Sequence, residues 1–309
     1  SGLTFYARFS SQLQSNVRSE NRQLVEQVNQ SLNSYLRSMI RLSDSLSYGV
    51  IKNTNLSDDS IGEKLQLLYD NNTSLVESIV LFDAAGNALA TAPPATLKKG
   101  VDVTQYEWFR RALEQTENLH FSTPAVQNMF VSSDGSYSYV LSLSCAVELT
   151  YGTRTEQGVL LITLKYGGLS ELFSNTALIN GGYIYLVSSD GTILYHPKQQ
   201  LIATGRYEED SARAAALPDG IHTLEHGARR ATLLVRSAGY TGWKVVGVIP
   251  QVALTLDTAH DFLFLLMIFL VFFDALVLIN ALISTRLTRP IQQLENSVQR
   301  LERGENEAI

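Results

Sequence analysis

The chain has 309 residues, enough for about two domains. Thirty Asp and Glu against 24 Lys and Arg give a net charge of −6, which argues against nucleic acid as a partner. A single cysteine, Cys145, excludes an internal disulfide framework and, in an alternating apolar run, reads as a buried structural thiol.

The opening SGLTFYARFSS lacks the apolar region of a secretory signal. If the following domain lies outside the cell, a membrane helix must precede it, with residues 3–6 as its last turn; the GENEAI end likewise reads as a cut. Over residues 12–47 apolar side chains recur at Leu13, Val17, Leu24, Val28, Leu32, Leu36 and Met39. Gaps of three and four predict a long amphipathic helix, assigned to residues 1–50, whose stripe packs on a globular body and on a second copy of itself. A short helix is predicted over 61–69.

The period then changes. Residues 78–82 read as a buried strand, 83–86 as a turn and 87–90 as the returning strand. A proline-bearing loop over 92–100 leads to a short aromatic helix over 106–113. An extended segment over 120–126 is broken by Pro124, and Asp134-Gly135 marks a hairpin turn into a long strand over 137–149. Another strand over 157–165 and a helix over 169–174 complete a first module, residues 51–178.

The pattern restarts after Asn180-Gly181-Gly182. A strand over 183–187, a turn over 188–191 and a return over 192–195 parallel SIVLFDAAGNALA, and strands follow over 220–225, 230–237 and 243–249. These form a second module, residues 179–256. His196-Pro197 reads as a turn, and Glu208 to Asp210 as a solvated loop. His222 and His226 share a strand face some 13 Å apart, too far to hold one metal ion.

Residues 260–285 read as a membrane helix. Its centre, FLFLLMIFLVFFDALVLINALIS, contains 17 Leu, Ile, Phe or Val. Each favours insertion by roughly 0.3–0.6 kcal/mol, outweighing the roughly 2.5–3.5 kcal/mol of a central Asp. Asp274 is that residue, and an ionisable group at this depth is expected to face protein. Arg286 and Arg289 follow the span and no Lys or Arg stands just before it, so the preceding bulk is expected outside the cytoplasm.

Three stretches, SIVLFDAAGNALA, QYEWFRRAL and GGYIYLVSSDGTILYHPKQQLIATG, give the chain a resemblance to double Cache sensor domains over roughly residues 12–252. The resemblance implies an α+β fold: a long N-terminal helix, two tandem PAS-like modules, the first membrane-distal and the second membrane-proximal, then one transmembrane helix. Arg289-Pro290-Ile291 with Leu294, Val298, Leu301 and Gly304 resembles the first helix of a HAMP relay, cut short within residues 286–309.

The resemblance also implies a ligand pocket in the distal module. Its candidate lining is Tyr106, Trp108 and Phe109 from the short helix, Tyr137, Tyr139 and Ser142 from the facing strand, and Thr163. The family's amino-acid-binding branch carries an Arg two residues before the Trp and an Asp on the last strand; here those positions are Tyr106 and Thr163. A free amino acid would leave its charges poorly paired, so a neutral molecule or a partner protein is the expected ligand. No nucleophile elbow or phosphate loop is found, and no enzyme activity or cofactor is expected in this stretch. The expectation is the sensing half of a homodimeric bacterial receptor in the cell membrane, a two-component sensor histidine kinase first. The alternatives are a methyl-accepting chemotaxis receptor and a membrane-tethered binding module.

Overall fold

A computed structural model describes residues 2–58, 60–116, 119–131, 138–226, 229–250 and 253–284. The chain falls into two units, residues 1–250 and residues 251–309.

In the first unit, helix α1 (Gly2–Asp44) runs into a π-helical turn, Ser45–Ile51. The expected helix over 12–47 is α1 with the start of this π-helical turn, and no Gly or Pro interrupts α1 after Gly2. Its stripe of Val25, Val28, Leu32, Leu36 and Met39 is buried. Helix α2 (Ile61–Asp70) follows.

The first sheet comprises β1 (Val76–Asp83), β2 (Ala88–Ala92), β3 (His120–Phe121), β4 (Ala125–Val126), β5 (Tyr139–Tyr151) and β6 (Arg154–Lys165). It is antiparallel in the order β2-β1-β6-β5-β3, with β4 beside β5. Strand β5 begins at Tyr139; Tyr137 and the Asp134-Gly135 turn lie outside the described residues. Helix α3 (Glu107–Glu114) covers one face, and α4 (Tyr166–Ser174) follows β6.

The second sheet, β7 (Tyr183–Val187), β8 (Ile193–Tyr195), β9 (Gly220–His226), β10 (Arg229–Ala238) and β11 (Trp243–Pro250), has the order β8-β7-β11-β10-β9. This is the same arrangement, and the two opening hairpins repeat in detail. Gly86 N donates to Asp83 O and Gly191 N to Ser188 O, each at 3.1 Å, with φ of 88° at both glycines. A left-handed residue closes both turns, which is why each carries Gly there. Helices α5 (Gln199–Ala203) and α6 (Ser211–Ala216) lie between β8 and β9, and neither was expected from the sequence.

Both sheets share one spine. The α1 stripe packs with Leu141 and Leu160 of the first sheet and with Ile184, Leu186, Leu234 and Val245 of the second. Close approach depends on Gly247 of β11, where a Cβ would stand 2.5 Å from Val25 Cγ2. Direct ties join the modules: Tyr166 Oη donates to Leu194 O at 3.0 Å, and Phe173 stacks on Tyr195 at 4.9 Å between centroids. Cys145 is buried with the same core, its Sγ 3.3 Å from Ser43 Oγ, and burial pushes its thiol pKa up.

The second unit contains helix α7 (Ala253–Ile283), which begins before the expected span at 260. Within it Phe262–Ile283, 22 residues of mean hydropathy 3.0, is long and apolar enough to cross a membrane. Asp274 lies along this stretch. The HAMP-like segment, residues 286–309, lies outside the described residues.

Candidate functional site

The strand period of two decides what faces what in the distal module. Direct cross-strand partners share a face, and Ser78 of β1 stands opposite Thr163 of β6, which stands opposite Ser142 of β5. The next row is Val80, Leu161 and Ser144; Phe82 and Val159 form the row beyond. None of these side chains is charged. Ile79, Leu81, Ile162 and Leu143 point the other way, into the core with α1.

Helix α3 covers the hydroxyl-bearing face. A 3-10 turn, Val103–Gln105, sets its entry, with Asp102 Oδ1 accepting from Thr104 N at 3.0 Å. Tyr106 is the extended residue before the first helical turn. Phe109 is 1 % exposed and packs edge-on to Phe82 at 6.2 Å, so it is core. Trp108 is half-buried, 5.8 Å from the Phe82 ring and 6.0 Å from that of Tyr106. Ser144 Oγ donates to Trp108 O at 3.1 Å and fixes the helix start to β5. The segment of Leu97, Met129 and Phe130 closes the apolar end of this cluster.

The structure therefore brings Tyr106, Trp108, Phe109, Ser142 and Thr163 to one side of the sheet. Tyr139 does not join them. It differs from Ser142 by an odd number of positions and so lies on the opposite face, its ring 4.8 Å from that of Tyr166 on α4. Tyr137 lies outside the described residues. Ser78 and Ser144 lie on the same sheet face and were missed, although alternation along β1 and β5 could have found both. Thr163 is fully buried, and its Oγ1, like Ser78 Oγ, meets no hydrogen-bond partner among the described residues. A buried hydroxyl left unpaired costs about 1–3 kcal/mol. Aromatic faces opposite neutral donors and acceptors suit a small uncharged molecule with a polar group.

A separate groove of about 780 Å³ lies between α1, α3 and the second module, lined by Asn33, Arg37, Arg111, His120 and Thr241 among others.

The proximal module has a polar cluster in which His196 opens a turn, as expected, while the segment expected to be a solvated loop is packed against it. Glu209 is largely buried, and His196 is 2 % exposed. Glu209 Oε2 accepts from Tyr183 Oη at 2.5 Å and lies 3.2 Å from His196 Nε2. The Tyr183 and Tyr207 hydroxyls are 2.7 Å apart. His196 Nδ1 accepts from Lys198 N at 2.9 Å, so Nε2 carries the proton directed to Glu209. Burial pushes the Glu209 carboxyl up, but hydrogen bonds from His196, Tyr183 and Tyr207 outweigh it and hold the group below the usual carboxylate range. Burial, then the bond to Glu209, pushes the Tyr183 phenol well above its ordinary value. Helices α5 and α6 flank the 208–210 segment and bring it back over the sheet, and Asp210 caps α6.

Comparison with known proteins agrees with this architecture. McpA of Bacillus subtilis (strain 168), a methyl-accepting chemotaxis protein, is 21% identical over an alignment of 308 residues that covers 97% of this chain and 43% of that protein. The chain thus spans less than half the length of this curated relative. Among solved structures, the ligand-binding domain of the Pseudomonas fluorescens chemoreceptor CtaA with L-isoleucine superposes with a TM-score of 0.59 at 17% identity, covering 79% of this chain and 96% of that one. The ligand-binding domain of Mlp24 with asparagine gives 0.57 at 16% identity, with coverage of 80% and 98%. That of the Pseudomonas aeruginosa PAO1 amino-acid chemoreceptor PctC with GABA gives 0.54 at 18%, with coverage of 72% and 94%. At such identities these structures speak for the fold. The profile of the Cache domain, in its dCache_1 form, matches residues 9–257, and the chain belongs to that family as a double Cache sensor domain.

Proposed function

We propose that this chain is the ligand-sensing region of a membrane-anchored receptor of the chemotaxis type, and that the distal cleft receives a small uncharged molecule. One observation carries the ligand class. The row Ser78–Thr163–Ser142 faces the aromatic helix with Thr163 Oγ1 buried and unpartnered among the described residues. The CtaA, Mlp24 and PctC domains are in complex with isoleucine, asparagine and GABA. For those ligands this chain offers Tyr106 and Thr163 where the amino-acid-binding branch has charged anchors. The chemoreceptor relatives favour chemotaxis output over the sensor histidine kinase first expected from the sequence.

In this reading the bulk of the chain lies outside the cytoplasm, two copies pair along α1 and α7, and ligand favours one packing of the distal module on α1. Only a ligand that binds the two packings unequally can transmit anything. A thermal-shift screen on the full chain in lipid nanodiscs tests the proposal, with uncharged polar compounds and an amino-acid panel as the two arms. Stabilisation by an uncharged compound is expected. Tight binding of a free amino acid would overturn the ligand class.

A further inference from the structure

We infer that the proximal module carries a second ligand site, an aromatic cage for an organic ammonium ion, formed by Tyr183, Tyr207, His196 and Glu209 with Lys198 as its built-in occupant. Lys198 Nζ stands over the Tyr183 ring at 4.8 Å from its centroid and over the Tyr207 ring at 4.5 Å. A cation at this range is drawn to the negative face of each ring. The His196 ring closes another side, with centroids 5.2 Å from Tyr183 and 5.7 Å from Tyr207. Glu209 supplies the counter-charge through its bond from Tyr183 Oη at 2.5 Å. A phenol donating to a carboxylate gains electron density, which strengthens its pull on a cation.

An unpaired hydroxyl stands next to the cage. Tyr185 is fully buried against His196, with centroids 5.4 Å apart, and its hydroxyl meets no hydrogen-bond partner among the described residues. It can bond a ligand's hydroxyl or carbonyl. Ala214, Ala215, Leu233 and Val246 give the neighbouring apolar floor. The acidic run Glu208-Glu209-Asp210 biases the approach toward cations. Lys198 is held by its main-chain N–H to His196 Nδ1, so its side chain can swing away without loss of that bond. This site uses none of the distal residues and stands whether or not the distal reading does.

Calorimetry on the full chain in nanodiscs tests it, with choline as the probe and 3,3-dimethyl-1-butanol as its uncharged isostere. Lys198→Ala removes the resident ammonium and is expected to tighten choline binding roughly tenfold over wild type. Adding Glu209→Gln should abolish the gain, while Thr163→Val should leave it unchanged. The inference is overturned if choline fails to bind Lys198→Ala, if the uncharged isostere binds equally well, or if the gain survives Glu209→Gln. Loss of distal-ligand binding in Thr163→Val with choline binding intact would locate the two sites separately.

Discussion

Ser144 on β5 donates its hydroxyl to the main-chain carbonyl of Trp108 at 3.1 Å, so the start of the aromatic helix α3 is tied to the sheet face that it covers. Ser144→Ala is expected to cost about 1 kcal/mol of stability. It should weaken binding of any distal ligand while Ser142→Ala leaves stability nearly unchanged. Urea denaturation followed by ligand titration checks both parts.

Gly247 lets α1 and β11 touch. A Cβ there would meet Val25 Cγ2 at 2.5 Å and Leu178 Cδ1 at 3.1 Å. Gly247→Ala should therefore destabilise by about 1–3 kcal/mol. The combination with Val25→Ala should cost less than the two single changes summed, because the second makes room for the first. A double-mutant cycle by denaturation measures the difference.

The Glu209 network makes the proximal module sensitive to acid. Its carboxyl titrates below the ordinary value of 4.5, so its contribution is complete above that pH and drains away as pH falls through the lowered value. Melting curves against pH should show wild type losing stability in this acid window. Glu209→Gln should be less stable at neutral pH and flatter through the same window.

Asp274 lies within the span of α7. Asp274→Leu removes roughly 2.5–3.5 kcal/mol of insertion cost if the residue faces lipid. If it pairs across a dimer, the same change should alter dimer strength. Self-association of wild type and variant in nanodiscs or detergent distinguishes these results.

Much of the fold could be read from residues. The three-four spacing from Leu13 to Met39 foretold α1, and the two Gly-closed hairpins foretold a repeated module. The distal candidates came from the family resemblance; Tyr106, Trp108 and Phe109 do fall on the sheet face that bears Ser142 and Thr163, but Tyr139 was grouped with them although strand alternation sends it to the opposite face. The proximal cluster was not legible, because α5 and α6 are too short for a periodic signal and Glu209 meets Tyr183 only after a fold across 26 residues. A charged triplet in sequence looks solvated until something packs over it.

Hydrogen exchange on the full chain, with and without a compound that raises its melting temperature, tests most directly where that compound acts. Added protection is expected at the α3 amides and in the strands bearing Ser78, Ser142 and Thr163, with loss of that protection in Thr163→Val. Protection confined to the Arg37–Arg111 groove, or unchanged affinity in Thr163→Val, would contradict a distal cleft that recognises its ligand through the hydroxyl row.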